Sequence, residues 1–345
     1  MTGSWEVPAE AQRAASQPLQ DLTEPPAQRR RSGRPPSLDR ISRVTGCDSN
    51  KACQTVSIAR QNVTPGFDGG EMTEVEHPPR GVDLSRPSPA RLYDYYLGGK
   101  NNFQVDRDAA KKILNTVPEL PDIAWSNRGF HQRAARWIAE QGITQFIDVG
   151  AGLPTIGNTH DVVRRVTPDA RIVYMDNDPM VLAHAKALMA ITGNTRVITA
   201  DVRRPDDVLS EPELHELIDF SEPVGFLATG VIPYVADGAD PWGLLTRYLS
   251  ALAPGSYLAL SHITADKNPP HSVQAFLDVY ANATEKCCLR SKAEVEQFFD
   301  GLELVPPYEG AEPGVCYAGV WGAEDPELAD SEGSRWLWCG VARHP

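Results

Sequence analysis

Long apolar runs are missing from this 345-residue sequence. It contains no stretch of about eighteen apolar residues that could span a bilayer, and its N-terminus lacks the apolar core of a signal peptide. The sequence therefore predicts a soluble, cytoplasmic protein that is not embedded in a membrane.

Paired cysteines are missing as well. The six cysteines show no CxxC spacing, so neither a zinc site nor a disulfide framework is expected, and free thiols are predicted. They are Cys47, Cys53, Cys287, Cys288, Cys316 and Cys339. The sequence predicts no bound metal.

An excess of basic residues is also absent. The chain has 33 Lys and Arg against 46 Asp and Glu, which gives a formal net charge of −13. Ten residues of each sign fall before position 81, so the whole acidic excess belongs to the later part of the chain. An acidic body repels phosphate backbones, and nucleic acid is therefore not expected as the main partner.

Residues 1–80 lack periodic apolar residues and are rich in Pro, Ser, Gln and Arg. Such a segment cannot bury enough surface to offset the entropy of ordering, so it is predicted to be a disordered tail. The basic cluster RRRSGR at 29–34 suggests a nucleic-acid arm as an alternative, but the balancing acids favour a solvated tail. Met72 is a second candidate start, because the stretch after it leads directly into the patterned region.

Helices are predicted before the first strand, over 88–97, 105–116 and 121–141. In the first of them, Ser88 provides an N-cap, Pro89 occupies the first helical position and Gly98 ends the segment. All three helices precede the α/β pattern that follows.

From residue 143 onward, short apolar runs alternate with helical patterns. The runs are ITQFIDVG, ARIVYMD, TRVITAD, PVGFLATGV and SYLALSHI, and the helical patterns cover 157–167, 179–191, 206–219, 241–252 and 269–282. Unbroken apolar strands separated by amphipathic helices are typical of a parallel sheet covered on both faces. Residues 143–345 are therefore predicted to form a doubly wound α/β domain, with a last strand at RWLWCGVAR that turns back antiparallel.

The first predicted strand, FIDVGAG, ends in an acid and two glycines. Gly150 and Gly152 allow the backbone to turn sharply and to approach a ligand closely. The second and third strands also end in acids, Asp176 and Asp201. Because parallel strands end at one rim of the sheet, Asp148, Asp176 and Asp201 are expected to lie together.

Each acid can be assigned a role in binding a nucleoside. Asp176, with Asn177 beside it, can accept two hydrogen bonds from the hydroxyls of a ribose. Asp201 can accept from an exocyclic amine, while the backbone N–H of Val202 reaches a ring nitrogen. Asp148 can hold the glycine turn or meet an ammonium group.

Two nucleotide classes compete for such a rim. A dinucleotide fingerprint requires a third glycine that lets a helix N-terminus approach a pyrophosphate, but Thr155 occupies that position after Pro154. A cofactor without phosphate, such as S-adenosylmethionine, needs no such cradle and tolerates an acidic rim. A nicotinamide-dependent oxidoreductase is the less favoured alternative, and a non-catalytic cofactor-binding protein is the third.

The motifs DVGAG, VYMD, TAD and LAPGSYLALSH resemble those of class I S-adenosylmethionine-dependent methyltransferases. More narrowly, YDYYLGGKNNF and GLPTIGNTH resemble a bacterial group of S-adenosyl methyltransferases formerly catalogued as a domain of unknown function. The resemblance runs from about residue 80 to 345. It implies a Rossmann-like, mostly parallel seven-stranded sheet with an antiparallel last strand, a helical lid over 81–142, S-adenosylmethionine as cofactor and methyl transfer as activity.

The same resemblance suggests site residues. It implies a lid segment that closes over the cofactor or substrate and contains Tyr93, Gly98, Gly99, Lys100, Asn101 and Asn102. It also implies that Asn127, Arg128 and His160 line the cavity, with Asn127 joining Lys100, Asn101 and Asn102 at the cofactor. One departure follows the fourth strand, where GVIPYVAD replaces the expected apolar–His–aromatic string.

Methyl transfer requires alignment of the reacting groups, exclusion of water and, for a hydroxyl or protonated amine, a base. His262 in LALSHITAD and His160 after the glycine turn are the catalytic candidates, because the pKa of histidine suits neutral pH. Tyr234 is a third candidate, on the acceptor side. A small-molecule acceptor is expected, but no motif encodes its identity, since acceptor pockets are built from variable loops.

Overall fold

The computed structural model describes residues 78–189 and 193–345. The predictions for the N-terminal tail before residue 78, including a start at Met72 and the free thiols of Cys47 and Cys53, lie outside the described residues. The four cysteines after that point are free thiols, as predicted.

Helices and strands alternate along most of the described chain. The helices are α1 (Pro89–Tyr96), α2 (Gln104–Leu114), α3 (Leu120–Glu140), α4 (Thr159–Val163), α5 (Pro179–Met189), α6 (Pro205–Leu209), α7 (Pro212–His215), α8 (Pro241–Leu249), α9 (Pro270–Tyr280), α10 (Lys292–Glu296) and α11 (Pro326–Ala329). The strands are β1 (Gln145–Val149), β2 (Arg171–Asp176), β3 (Thr195–Thr199), β4 (Gly225–Thr229), β5 (Tyr257–Ile263), β6 (Glu303–Leu304), β7 (Cys316–Tyr317) and β8 (Leu337–Arg343). Short 3₁₀ turns lie at Ile232–Tyr234, Asp237–Ala239, Gln297–Phe299 and Ser334–Trp336.

Helix α1 begins at Pro89, as predicted, with Ser88 as its N-cap residue. The Ser88 hydroxyl does not accept from the helix; it donates to Asp178 Oδ2 at 2.6 Å. The Ser88 N–H donates to Asp106 Oδ1 at 3.0 Å, and Arg91 Nε donates to Asp106 Oδ2 at 2.8 Å. These bonds connect α1 to α2 and to the residue that precedes α5.

Helix α3 spans 21 residues and contacts strands β4, β5 and β8. Its apolar side, with Phe130, Ala134 and Ile138, is fully buried. The chain leaves the helix at Gly142, whose φ of 91° lies in the left-handed region that favours glycine. Helix α3 is therefore fixed against the sheet along its length.

One mixed sheet forms the centre of the described chain, with the strand order β3-β2-β1-β4-β5-β8-β6 and β7 paired with β8. Strands β1 to β5 are parallel, and β8 is antiparallel to β5. The strand order reverses beside β1, which has β2 on one side and β4 on the other. Doubly wound sheets leave a crevice at the carboxyl ends of the strands where this reversal occurs.

The predicted α/β class and the antiparallel last strand are confirmed. The described residues form eight strands where seven were expected, because the two-residue strands β6 and β7 both pair with β8. The helix predicted over 206–219 is divided into α6 and α7. Pro212 opens the second of these, and a proline has no N–H with which to continue the preceding helix.

The sheet is covered by apolar side chains on both faces. One cluster joins α3 to the sheet and includes Phe130, Ile138 and Trp321. The other packs against the opposite face and includes Tyr248 and Phe298. Within the described ranges, no helix combines the length and the apolar character needed to cross a membrane.

Candidate active site

A cavity of about 320 Å³ lies at the carboxyl ends of the strands, beside the reversal between β1 and β4. Its lining combines the turns after β1, β2, β3 and β4 with side chains of α1, α3 and α9. This is the position in which open α/β sheets bind ligands. The cavity is therefore the candidate active site.

The glycine turn after β1 forms part of the cavity wall. Gly150 and Gly152 have φ values of 66° and 67°, in the left-handed region, as the sharp turn requires. A Cβ on Gly150 would also collide with the side chain of Val231. The Gly150 N–H donates to Met175 O at 2.7 Å, which fastens the turn to β2. The predicted role of the two glycines in turning the backbone is thus visible in the geometry.

Asp176 ends β2 and lines the cavity. Its Oδ2 accepts from the Gly152 N–H at 2.9 Å, and its Oδ1 accepts from the Asp178 N–H at 2.9 Å. Burial of this carboxyl raises its pKa to about 6, although the backbone hydrogen bonds act in the opposite direction. Asp176 is consequently held in place by the turn, with lone pairs left for a ligand.

Two neighbours of Asp176 also line the cavity. Asn177 is exposed in the present conformation. Asp178 accepts from the Met180 N–H at 2.8 Å at the start of α5, as an N-cap residue does. Asp178 therefore has a structural role at the start of α5, where it precedes Pro179 at the first helical position.

A hydrogen-bonded chain runs from Asp148 across two threonines and a histidine. Thr159 Oγ1 lies 2.5 Å from Asp148 Oδ2, His131 Nε2 lies 2.9 Å from Thr159 Oγ1, and His131 Nδ1 lies 2.8 Å from Thr229 Oγ1. Asp148, His131 and Thr229 line the cavity. The chain connects the end of β1 with the end of β4 through the middle of α3.

The protonation states of this chain follow from its burial. Burial, with the charge of Arg128 as a smaller cause, lowers the pKa of His131 to about 3, so the ring is neutral. Burial raises the pKa of Asp148 to about 6, so it is largely ionised at neutral pH. An ionised Asp148 accepts from Thr159, which then accepts from His131 Nε2–H, which leaves Nδ1 to accept from the Thr229 hydroxyl. Thr229 keeps free lone pairs as an acceptor at the cavity.

Asp201 and Val202 follow β3 and line the cavity. Arg203 Nε donates to Asp201 Oδ1 at 2.8 Å, and Arg203 Nη1 donates to Glu285 Oε2 at 2.9 Å. Burial alone would raise the pKa of Asp201, but the hydrogen bonds from Arg203 outweigh it and lower the pKa. Asp201 is therefore an ionised acceptor at one end of the cavity.

Helix α3 presents Asn127 and Arg128 to the cavity. Asn127 Oδ1 accepts from the Ser261 hydroxyl at 2.5 Å, and its Nδ2 donates to the Tyr93 hydroxyl at 3.2 Å. Arg128 Nη2 donates to Gly157 O at 3.0 Å. The buried Arg128 Nε has no hydrogen-bond partner among the described residues. This guanidinium is thus a candidate for binding an anionic group.

Three predicted cofactor residues lie away from the cavity lining: Lys100, Asn101 and Asn102. Buried Asp94 holds their loop, because its Oδ2 accepts from the Asn101 N–H at 2.9 Å and from Asn102 Nδ2 at 2.8 Å. A Cβ on Gly99 would collide with the same carboxylate. In this structure the GGKNN string fixes the end of α1.

The two predicted catalytic histidines also lie outside the cavity lining. His262 is fully buried, its Nε2 accepts from Arg290 Nη1 at 2.7 Å, and its Nδ1–H donates to Ile263 O at 2.7 Å. Burial lowers the pKa of His262 to about 3. His160 Nδ1 lies 2.7 Å from the Tyr174 hydroxyl, and burial lowers its pKa as well. The third candidate, Tyr234, does line the cavity.

The structure adds cavity residues that the sequence did not single out. They are Tyr96, His131, Thr229, Phe276 and Tyr280. For His131 the sequence carried one usable signal, because it follows Asn127 by four residues and so lies on the same face of α3. The remaining four are common core residue types at ordinary positions. No group of side chains suited to a metal ion occurs in the part of the chain that the structure describes.

Comparison with known proteins gives consistent matches over the described chain. Residues 75–345 match a family model described as S-adenosyl methyltransferase. A candidate methyltransferase from Thermobifida fusca is 40% identical, over 77% of this chain and 98% of that chain, with a TM-score of 0.70. A DUF574 family protein from Streptomyces avermitilis is 36% identical, over 76% and 99% of the two chains, with a TM-score of 0.71. No curated protein sequence matches the chain.

Proposed function

The chain belongs to the S-adenosyl methyltransferase family, and we propose that it transfers a methyl group from S-adenosylmethionine to a small molecule bound in the cavity at the strand ends. Family membership sets aside the nicotinamide-dependent oxidoreductase and the non-catalytic binding protein as alternatives. A cytoplasmic location and the absence of a nucleic-acid partner stay predictions.

The residues present fit this cofactor. The glycine turn brings backbone without side chains to the cavity wall, and the acids at the strand ends suit a ligand without phosphate. The unpartnered Nε of buried Arg128 offers a cation to a carboxylate. A zwitterionic amino acid linked to a nucleoside has all the groups that these side chains can satisfy.

The proposal assigns each polar group of the cofactor to a residue of the cavity. Asp176, with Asn177 beside it, accepts from the ribose hydroxyls, and Asp201 accepts from the adenine amine. Asp148 attracts the ammonium group, and Arg128 binds the carboxylate. The assignment gives the ammonium and the carboxylate of the ligand each a partner of opposite sign, as burial of a charge requires.

When bound, the cofactor supplies a methyl group on a positively charged sulfur. The protein has to align the acceptor with that methyl group and to exclude water. Helices α1 and α3 contribute side chains to the cavity lining in addition to the strand ends. This enclosure is the observation that carries the proposal of a small acceptor, because a cavity of about 320 Å³ leaves limited space beside a nucleoside.

The hydrogen-bonded chain from Thr229 to Asp148 can remove a proton from the acceptor, so no histidine has to contact the acceptor itself. The Thr229 hydroxyl oxygen can accept a proton from the acceptor and release its own to His131 Nδ1. His131 then releases the proton on Nε2 to Thr159, and Thr159 releases its proton to Asp148. The Asp148 carboxylate, which accepts from Thr159 Oγ1, is the end of this chain and receives the proton. Tyr234 stays a candidate on the acceptor side, whereas the geometry offers His262 and His160 no contact with the cavity.

The proposal is tested by ligand-dependent melting of the full chain. S-adenosylhomocysteine at about 100 times its dissociation constant should stabilise the protein by roughly 2.7 kcal/mol through mass action, while NAD should leave the melting temperature unchanged. Stabilisation by NAD together with no response to S-adenosylhomocysteine would refute the proposed cofactor site.

A further inference from the structure

The cavity has two halves of different chemistry. Over β1, β2 and β3 it is lined by the glycine turn and the acids described above. Over β4, β5 and β8 it is lined by apolar and aromatic side chains, with Ile263 and Leu337 at the strand ends. We call this second half the aromatic pocket, and its other residues are Tyr96, Leu120, Ile123, Tyr234, Phe276 and Tyr280.

Ring contacts join three of these residues into one surface. The rings of Phe276 and Tyr280 are stacked, with centroids 4.5 Å apart and planes at 26°. The ring of Tyr234 lies 6.1 Å from that of Tyr280 with planes at 36°. A continuous surface of aromatic rings complements a planar aromatic ligand, because stacking adds to the burial of apolar area.

The aromatic pocket contains no charged side chain. Glu285 is a charged residue of the cavity lining a few positions after Tyr280, and its carboxylate is paired with Arg203 Nη1 at 2.9 Å. Arg203 in turn binds Asp201 on the cofactor side. An acceptor with a charge of either sign would lose its hydration in the pocket without gaining an ion pair.

Hydrogen-bond donors are nevertheless present in the aromatic pocket. Burial raises the pKa of Tyr96, Tyr234 and Tyr280, so their hydroxyls stay protonated. The buried hydroxyl of Tyr96 makes no hydrogen bond of standard geometry within the described residues, although the Tyr280 hydroxyl lies nearby. A neutral oxygen or nitrogen on a ligand could therefore accept from this group.

We infer that the methyl acceptor is an uncharged aromatic small molecule that carries a hydroxyl or a neutral nitrogen, and that it binds in the aromatic pocket. The inference rests on the proposed function, because the pocket continues directly from the proposed cofactor site. The ring surface binds the acceptor's aromatic part, the phenols donate to its heteroatom, and Thr229 receives its proton at the junction of the two halves.

The test uses three probes with the same ring system: naphthol, naphthoate and naphthylmethylammonium, all substituted at the same ring position. Binding of S-adenosylhomocysteine to the full chain is first measured by calorimetry. Each probe is then titrated into the protein saturated with S-adenosylhomocysteine at neutral pH. Naphthol should bind at least about tenfold more tightly than either charged probe, because each charge would be left without a partner.

The outcomes separate the two levels of the proposal. If S-adenosylhomocysteine binds but naphthoate or naphthylmethylammonium matches naphthol, the acceptor class is wrong while the cofactor site stands. The same holds if none of the three probes binds to the loaded protein. If S-adenosylhomocysteine fails to bind, the proposed function falls, and the acceptor class with it.

A conservative variant tests the pocket directly. Tyr280→Phe keeps the ring and removes the hydroxyl, so it should weaken naphthol binding by roughly three- to tenfold and leave binding of S-adenosylhomocysteine unchanged. The matched control is Tyr308→Phe, an exposed tyrosine outside the cavity lining. Equal naphthol affinities for the two variants would overturn the assignment of the pocket.

Discussion

Asp148 and Asp176 are nearly fully buried, and within the described ranges neither forms an ion pair with a lysine or arginine. The pKa of each is raised from 3.8 to about 6, chiefly by burial. A carboxyl whose pKa is higher in the folded state contributes stability that is fully present below about pH 4 and is lost as the pH rises through 6. Both acids therefore destabilise the ligand-free protein at neutral pH, which is the expected cost of a binding site for a cationic ligand.

The first prediction concerns Asp148→Asn. At pH 8 this variant should be more stable than the parent protein by up to about 3 kcal/mol, because each pKa unit corresponds to about 1.4 kcal/mol. At pH 4 the gain should shrink to about 0.5 kcal/mol, since the parent carboxyl is then neutral in the folded chain and only about half ionised in the unfolded one. Urea unfolding at both pH values measures the difference. If the gain in stability at pH 4 equals or exceeds the gain at pH 8, the carboxylate charge is not the cause of the gain.

Asp176→Ala is expected to weaken binding of S-adenosylhomocysteine by roughly 30- to 1000-fold. The variant loses two hydrogen bonds to a charged acceptor, which corresponds to about 2–4 kcal/mol. Calorimetric titration measures the change. Asp169→Ala provides the control, because Asp169 is an exposed aspartate outside the cavity lining. A similar loss in both variants would mean that Asp176 does not contact the ligand.

The meeting of Asp148, Asp176 and Asp201 at one cavity could be predicted from sequence, because parallel strands place their ends at one rim whatever their side chains do. The position of His262 outside the cavity could not be predicted in this way. Successive residues of a strand face opposite sides of the sheet, so Ser261 meets Asn127 of α3 whereas His262 stacks on Phe298 behind the sheet. Which side carries the cavity is decided by the packing of α3, and that is a tertiary contact.

At the scale of elements, buried Arg290 fixes the segment between β4 and α8. Its guanidinium donates to Val235 O at 2.7 Å and to Asp237 Oδ1 at 2.6 Å, in addition to His262. Its carbon atom Cζ also lies 5.2 Å from the ring centre of Trp242. Since the same segment carries Tyr234, Arg290 and His262 position one wall of the cavity from behind.

Arg290→Met should accordingly lower the free energy of unfolding by roughly 2–4 kcal/mol. The methionine fills most of the space but leaves the acceptors at Val235 and His262 unsatisfied. Denaturant unfolding gives the value. Arg136→Met serves as the comparison, because Arg136 pairs with Glu140 on the exposed side of α3 and should cost less than about 0.5 kcal/mol. Equal losses of unfolding free energy in the two variants would argue against Arg290 as the residue that fixes this segment.

The loop after α1 illustrates a motif whose chemistry the sequence left ambiguous. A lysine, two asparagines and a glycine pair suit a ligand, yet the same residues also suit a buried carboxylate such as Asp94, which lies only a few residues earlier. Backbone position decides between the two, and it depends on how α1 packs.

We therefore predict that Asp94→Ala lowers the free energy of unfolding by about 1–3 kcal/mol, whereas Lys100→Ala leaves the affinity for S-adenosylhomocysteine unchanged. A clear loss of affinity in Lys100→Ala, measured by calorimetry, would return the loop to the cofactor site.

At the scale of the whole molecule, the N-terminal helices and the sheet share a hydrophobic core. A single apolar cluster contains Leu92 of α1, Ile113 of α2, Phe130 of α3 and Val341 of β8. The prediction of a lid over 81–142 came from resemblance, and apolar patterning could not show how firmly these helices are attached. A shared core indicates that they unfold together with the sheet.

This shared core leads to a prediction about the length of chain that is needed. All residues of the cavity lining lie at or after Gly81, and the family match begins at residue 75. A protein that starts at Met72 should therefore unfold in one transition, at the same midpoint as the full chain, and should bind S-adenosylhomocysteine with equal affinity. Calorimetric melting and titration of both proteins test this directly. A separate early transition would mean that the helices form an independent unit, and a lower affinity would mean that residues before Met72 contribute to the site.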